Sequence, residues 1–187
     1  MFTEIAIIGG YYVHNEIAKD VAVISLVNNS LSLIIKDIPQ LPEGLWGLQG
    51  TKTPYGDILL CGGGDGLESK CNEYYRLKNG SDQWKKIGTL QTKRMFHASV
   101  FIDGCLFTSG GTKKNLPFLN HEGFSFDRGV NEKKDMPISL YGHTATIFGP
   151  TKILICGGCN DVCDDLCGGC NVVNECGKNV RKAICKS

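Results

Sequence analysis

Read from its N-terminus, the chain alternates short apolar runs with glycine-rich breaks. The runs are four to eight residues long and rich in β-branched and aromatic side chains, which favours strands over helices. No segment before residue 156 shows a helical period. Four runs end alike, in Gly-Gly: residues 5–10, 58–63, 106–111 and 153–158. The first glycine of each pair is Gly9, Gly62, Gly110 and Gly157, so successive intervals are 53, 48 and 47 residues. Near-equal intervals of this size mark an internal repeat.

Other columns align with the glycines. A strand and a tight turn precede the Gly-Gly strand at His97–Gly104, and His143–Lys152 matches this with one residue inserted. Residues 49–57 fill the same place less closely. Asp103-Gly104 and Gly56-Asp57 are hairpin pairs, because glycine supplies the positive φ that such turns need. After each Gly-Gly comes a variable loop and a third strand, at 20–26, 73–77 and 123–127. A fourth strand follows at 31–36 and 83–87. A four-stranded unit of about 45–50 residues, repeated, is the mark of a β-propeller blade. One antiparallel blade cannot bury its two faces alone, so blades stack.

These residues resemble the kelch-repeat family of propellers. Gly9-Gly10, Gly62-Gly63, Gly110-Gly111 and Gly157-Gly158 carry the likeness, with Trp84 on a fourth strand and the Arg94, His97, Ala98 stretch before the next unit. It covers about residues 4–158. The tryptophan column holds Ile35 or Lys36 in the first unit and Val130 or Asn131 in the third; the arginine column holds Trp46 and Leu140 elsewhere. The resemblance implies an all-β fold: a kelch-type β-propeller fragment of about three four-stranded antiparallel blades plus the start of a fourth. Residues 1–158 would hold the repeats. Residues 159–187 would be a Cys-rich tail, with Asn171–Asn174 as the third strand of a partial fourth blade. Three blades cannot close a ring. A fragment of a longer protein, self-association of two copies and a divergent product are the competing explanations, and a start inside a strand favours the fragment. His97 and His143 share a column and read as blade-packing residues. His14 and His121 fall after Gly-Gly and read as surface residues.

Composition narrows the function classes. The chain has 187 residues, 42% hydrophobic and 21% charged, enough for a core and unlike a disordered chain. A net charge of +1 argues against nucleic-acid binding by bulk electrostatics. No apolar stretch approaches the roughly 20 residues of a membrane helix, so no membrane partner is expected. The N-terminus lacks the basic region and long apolar run of a signal peptide. This gives a cytoplasmic expectation, or an extracellular one if an upstream segment exists.

Seven of the ten cysteines lie between Cys156 and Cys185. Cys156, Cys159, Cys163, Cys167 and Cys170 include two Cys-x-x-Cys pairs, the spacing that lets thiolates share one Zn²⁺. Only seven residues separate Cys159 from Cys167, tighter than usual metal-finger spacing. Disulfides in an oxidising compartment are one alternative. The other makes Cys156 a strand residue in the column of Ile8, Cys61 and Ser109. Cys71 and Cys105 read as buried thiols. Gly62–Gly66 is no phosphate loop, because a strand rather than a helix follows it. No cofactor is expected.

Propellers bind through their loops. Tyr11, Tyr12, His14, Asp65, Glu68, Lys113 and Asn115 follow Gly-Gly pairs; Trp46, Lys93, Arg94, Phe96 and Tyr141 precede the next unit, and Arg94 reads at least as well as a structural hydrogen bond between blades. The resemblance implies that these two loop sets form a face that docks a protein, and Tyr, Trp and Arg are the usual interface anchors. The expectation is a non-catalytic protein-interaction module, of the kind that recruits substrate to a ubiquitin-ligase adaptor. No BTB domain is visible in these residues. The alternatives are a secreted disulfide-bonded recognition protein and a kelch-type oxidoreductase related to galactose oxidase, whose Tyr, Cys and His set cannot be assigned here.

Overall fold

A computed structural model describes residues 3–12, 16–27, 30–34, 38–64, 71–113, 116–127, 129–132, 135–160, 170–174 and 181–183. Among them there is no helix. The strands are β1 (Thr3–Ile8), β2 (Val21–Val27), β3 (Ser30–Ile34), β4 (Gln49–Lys52), β5 (Ile58–Cys61), β6 (Glu73–Leu77), β7 (Trp84–Thr89), β8 (Ala98–Ile102) and β9 (Cys105–Ser109). They continue as β10 (Thr112–Lys113), β11 (Leu116–Pro117), β12 (His121–Ser125), β13 (Gly129–Glu132), β14 (Thr144–Ile147), β15 (Lys152–Cys156), β16 (Cys170–Asn174) and β17 (Arg181–Ala183).

They form four consecutive antiparallel sheets, ordered β1-β2-β3, β4-β5-β6-β7, β8-β9-β12-β13 and β14-β15-β16-β17; β10 and β11 make a small separate hairpin. The second strand of each four-stranded sheet, like β1 in the first, runs into Gly-Gly. The last sheet has four strands, more than the opening strands expected, and its third strand comes from the cysteine-rich segment at Cys170–Asn174.

Alternation along the strands builds three cores, one between each pair of neighbouring sheets. Successive side chains on a strand point to opposite faces. Leu60 of β5 joins Leu41, Leu45, Cys71 and Tyr75 on the side of the first sheet. Leu59 and Cys61 join Tyr74, Leu90, Phe101, Leu106 and Phe124 on the side of the third. Val100, Ile102 and Phe107 meet Met136, Leu140, Ile153 and Ile155 of the last segment. Trp84 packs on the first of these cores and donates its indole N–H to the Pro39 carbonyl at 2.9 Å. Val130 stands opposite Phe124 as Trp84 stands opposite Leu77.

The Gly-Gly pairs are where one sheet meets the next. Gly10, Gly63 and Gly111 donate to the carbonyls of Leu45, Arg94 and Leu140 at 2.9, 2.9 and 2.8 Å. These bonds correct the alignment: Leu45, not Trp46, shares the column of Arg94. Gly62 has φ +62, and a Cβ there would lie 2.5 Å from the Arg94 carbonyl and 2.6 Å from the His97 ring. Glycine is required by both the dihedral and the space.

His97 and His143 hold equivalent places. His97 Nε2 lies 3.2 Å from Cys61 Sγ and His143 Nε2 lies 3.1 Å from Ser109 Oγ. Each histidine thus reaches back from the start of one sheet to the residue before Gly-Gly in the preceding sheet. His121 departs from expectation. The third strand starts two residues earlier than its apolar pattern suggests, so His121 is strand rather than loop, buried with its ring 4.8 Å from Phe107. Cys71 is buried as expected, whereas Cys105 is half-buried.

Candidate docking surface at the glycine end of the sheets

The segments that precede β4, β8 and β14 gather at the Gly-Gly end. Trp46 pairs with Gly64, Met95 with Thr112 and Tyr141 with Cys159. The next residue in each case, Gly47, Phe96 or Gly142, has a positive φ of 64, 54 or 66°. Phe96 N–H donates to the Gly47 carbonyl at 2.8 Å, and Gly142 N–H donates to the Phe96 carbonyl at 2.8 Å. A chain of backbone bonds therefore links three successive segments. Phe96 adopts a conformation that its two counterparts reach without a side chain.

This backbone row carries aromatic rings. Tyr11 and Trp46 have ring centroids 5.5 Å apart, and Trp46 and Phe96 meet edge to face at 5.1 Å. Edge-to-face and tilted pairs at such distances are attractive. Tyr11 is 50% exposed and Tyr12 47%, while Trp46, Phe96 and Tyr141 are half-buried. Tyr12 donates its hydroxyl to Asp20, which also accepts from Gln40 at 2.8 Å. The hydrogen bond to the Asp20 carboxylate raises the Tyr12 pKa above its ordinary value. Lys93 and Lys113 are exposed.

Three of the sequence-predicted residues, Tyr11, Trp46 and Phe96, thus form one continuous aromatic row. Arg94 does not belong to it. Its side chain is fully buried, paired with the equally buried Glu122, and donates to the Gly110 carbonyl at 2.7 Å and to Asn120 Oδ1 at 3.0 Å. Placed between sheets, its guanidinium satisfies backbone groups and offers nothing to a partner. His14, Asp65, Glu68 and Asn115 lie outside the described residues, as do Cys163 and Cys167 of the suggested metal set. Cys156 and Cys159 are described and half-buried. Cys156 is a strand residue of β15.

Sequence reading missed one cluster. Glu43, Cys71 and Glu73 bring one donor atom each within 4.8 Å of the others. Cys71 donates to Glu73 at 3.1 Å, Tyr75 to Glu43 at 2.9 Å, and Lys86 pairs with Glu73 at 3.0 Å. Burial pushes the Cys71 thiol pKa up, and these contacts tie the three side chains into one hydrogen-bond network. Glu43 and Cys71 are 28 residues apart, and no local spacing announces them. A cavity of about 760 Å³ lies elsewhere, between the first and second sheets, bounded by Ile8, Val23, Leu48 and Ile58.

No family model matches the chain. Over 128 residues it is 29% identical to Adagio protein 3 of Arabidopsis thaliana. The match covers 63% of this chain and 20% of that protein. The chain therefore corresponds to about a fifth of the length of that relative.

Proposed function

We propose that the four sheets are blades of a kelch-type β-propeller and that their glycine end docks a protein partner without catalysing a reaction. The single observation that carries this reading is the row Tyr11–Trp46–Phe96, aromatic side chains held by a backbone ladder at a loop end. Rigid aromatic rings give large contact area at low entropic cost, which is why Tyr and Trp dominate interface energetics. The partial likeness to Adagio protein 3 supports a protein-interaction role. Its finer form makes the chain a substrate-recognition part of a ubiquitin-ligase adaptor.

The test compares capture from source-cell extract by the wild-type chain, the Tyr11→Ala/Trp46→Ala variant and Tyr55→Ala, which alters a tyrosine that is 79% exposed outside the row. A specific partner kept by Tyr55→Ala and lost by the double variant supports docking through the row. An unchanged set of captured proteins in the double variant overturns it.

A further inference from the structure

The cavity between the first and second sheets has its cause in the repeat. Ala6, Leu59 and Phe107 share one column, since each precedes the first glycine of its pair by the same number of residues. Leu59 fills the core between the second and third sheets, and Phe107 fills the core between the third and the last. Across the ladder, Leu59 stands opposite Arg76, whose guanidinium lies over the Phe126 ring of the third sheet at 4.8 Å. Ala6 stands opposite Val23. The first sheet therefore offers its neighbour a methyl group and a valine where the second offers a leucine and an arginine. The missing bulk shows directly. Ala6 is exposed although it lines the space between two sheets, and that space measures about 760 Å³. Pockets for small organic ligands run to about 300–1,000 Å³.

The opposite wall belongs to the second sheet. Lys52, Ile58 and Leu77 stand opposite one another across β4, β5 and β6. Directly opposed residues project from the same face of a sheet, so an apolar row carries an ammonium group at one end. Lys78 lines the same cavity. Both lysines are exposed, and among the described residues neither has an ion-pair partner. Asp57, the acid that feels the Lys78 charge, is already paired with Arg76. Asp82 is the single acid among the described lining residues, so two positive charges face one negative charge.

Wall and rim together define a ligand. The described lining holds no aromatic ring, so nothing in it selects a flat molecule by stacking. Aliphatic walls suit an alkyl chain, whose removal from water drives binding. The surplus positive charge suits an anionic head group.

We propose that this cavity binds a medium-chain fatty carboxylate, its alkyl chain against Val23, Ile58 and Leu77 and its carboxylate held at the rim by Lys52 and Lys78. The site is separate from the aromatic row and stands whether or not that row docks a partner.

The full chain is titrated with decanoate by isothermal titration calorimetry, with decanol as the uncharged probe of equal chain length. Saturable binding of decanoate, tighter than that of decanol, is the expected result. Lys52→Met and Lys78→Met should each weaken decanoate about two- to fivefold, the range of an exposed ion pair, and leave decanol unchanged. Ala6→Phe places in the column the side chain that Phe107 carries in the third sheet, and should abolish decanoate binding while the urea midpoint is kept. If that variant fails to fold, the wild-type chain still decides: decanoate bearing a terminal diazirine is photolysed on it, and tandem mass spectrometry should place the insertion in peptides holding Ile58 or Leu77. Insertion confined to other segments, no saturable binding, decanol binding as tightly as decanoate, or a folded Ala6→Phe that binds like the wild type overturns the proposal.

Discussion

Arg94 and Glu122 form an ion pair in which both side chains are withdrawn completely from solvent. The pair joins the segment before β8 to the start of β12. Glu122 also accepts the backbone N–H groups of Gln91 at 2.7 Å and Thr92 at 3.2 Å. Removing one member of such a pair leaves an uncompensated buried charge. We predict that Arg94→Ala costs about 3–5 kcal/mol, read as a lowered midpoint in urea denaturation. Arg94→Met combined with Glu122→Leu should recover only part of this, because the Gln91 and Thr92 amides then lose their acceptor.

The two column histidines predict an acid-sensitive fold. Burial lowers the His97 pKa to about 3, helped by the Arg94 charge, and lowers that of His143 to about 4. Both are neutral in the folded chain, while the unfolded chain protonates them near pH 6.5. Below that pH the unfolded state binds more protons, so stability falls as pH drops from about 6.5 toward 4 and is fully present above 6.5. The two together give a slope of up to about 3 kcal/mol per pH unit. Denaturation midpoints measured across this range should flatten in a His97→Gln/His143→Gln variant; an unchanged slope would assign the acid sensitivity to other groups.

The glycines separate into two energetic classes. Gly80 has φ +76 with open space around its missing Cβ, whereas Gly62 combines φ +62 with backbone and ring contacts below 3 Å. A left-handed conformation alone costs an L-residue about 1–2 kcal/mol. Gly80→Ala should cost that much. Gly62→Ala should cost clearly more, because the Arg94 carbonyl cannot move without breaking its bond to Gly63. Thermal melts of the two variants make the comparison.

Trp84 anchors β7 to the chain that enters β4. Trp84→Phe keeps most of the packing and removes the bond to the Pro39 carbonyl. The expected loss is about 1 kcal/mol in denaturant titration; an equal loss in a Pro39→Ala variant, which keeps the carbonyl, would point instead to packing.

Much of the sheet order was legible in the residues. Asp103 and Gly104, read as a hairpin pair, both have positive φ, 48 and 74°, and join β8 to β9. The Cys61 and Cys156 column was legible from the Gly-Gly alignment. His121 was misread because Gly123 and Phe124 mark the strand while the two polar residues before them carry no β signal; burial between sheets made them strand. Arg94 kept two readings, a partner contact and a structural hydrogen bond between blades, because an arginine beside Lys93 in a loop looks exposed and the acceptors that decide for the second lie 16 to 28 residues further along.

Sequence alone determined the repeat, the strand-rich character and the tight turns. Those properties depend on alternation and on φ preferences, which act within a few residues of the chain. Tertiary structure alone decided which side chains of one sheet meet those of the next. It buried Arg94 against Glu122, set Leu45 rather than Trp46 in the arginine column, and lined up Tyr11, Trp46 and Phe96. Each is a meeting of positions far apart in the chain, brought about by strand register and by the stacking of apolar faces away from water.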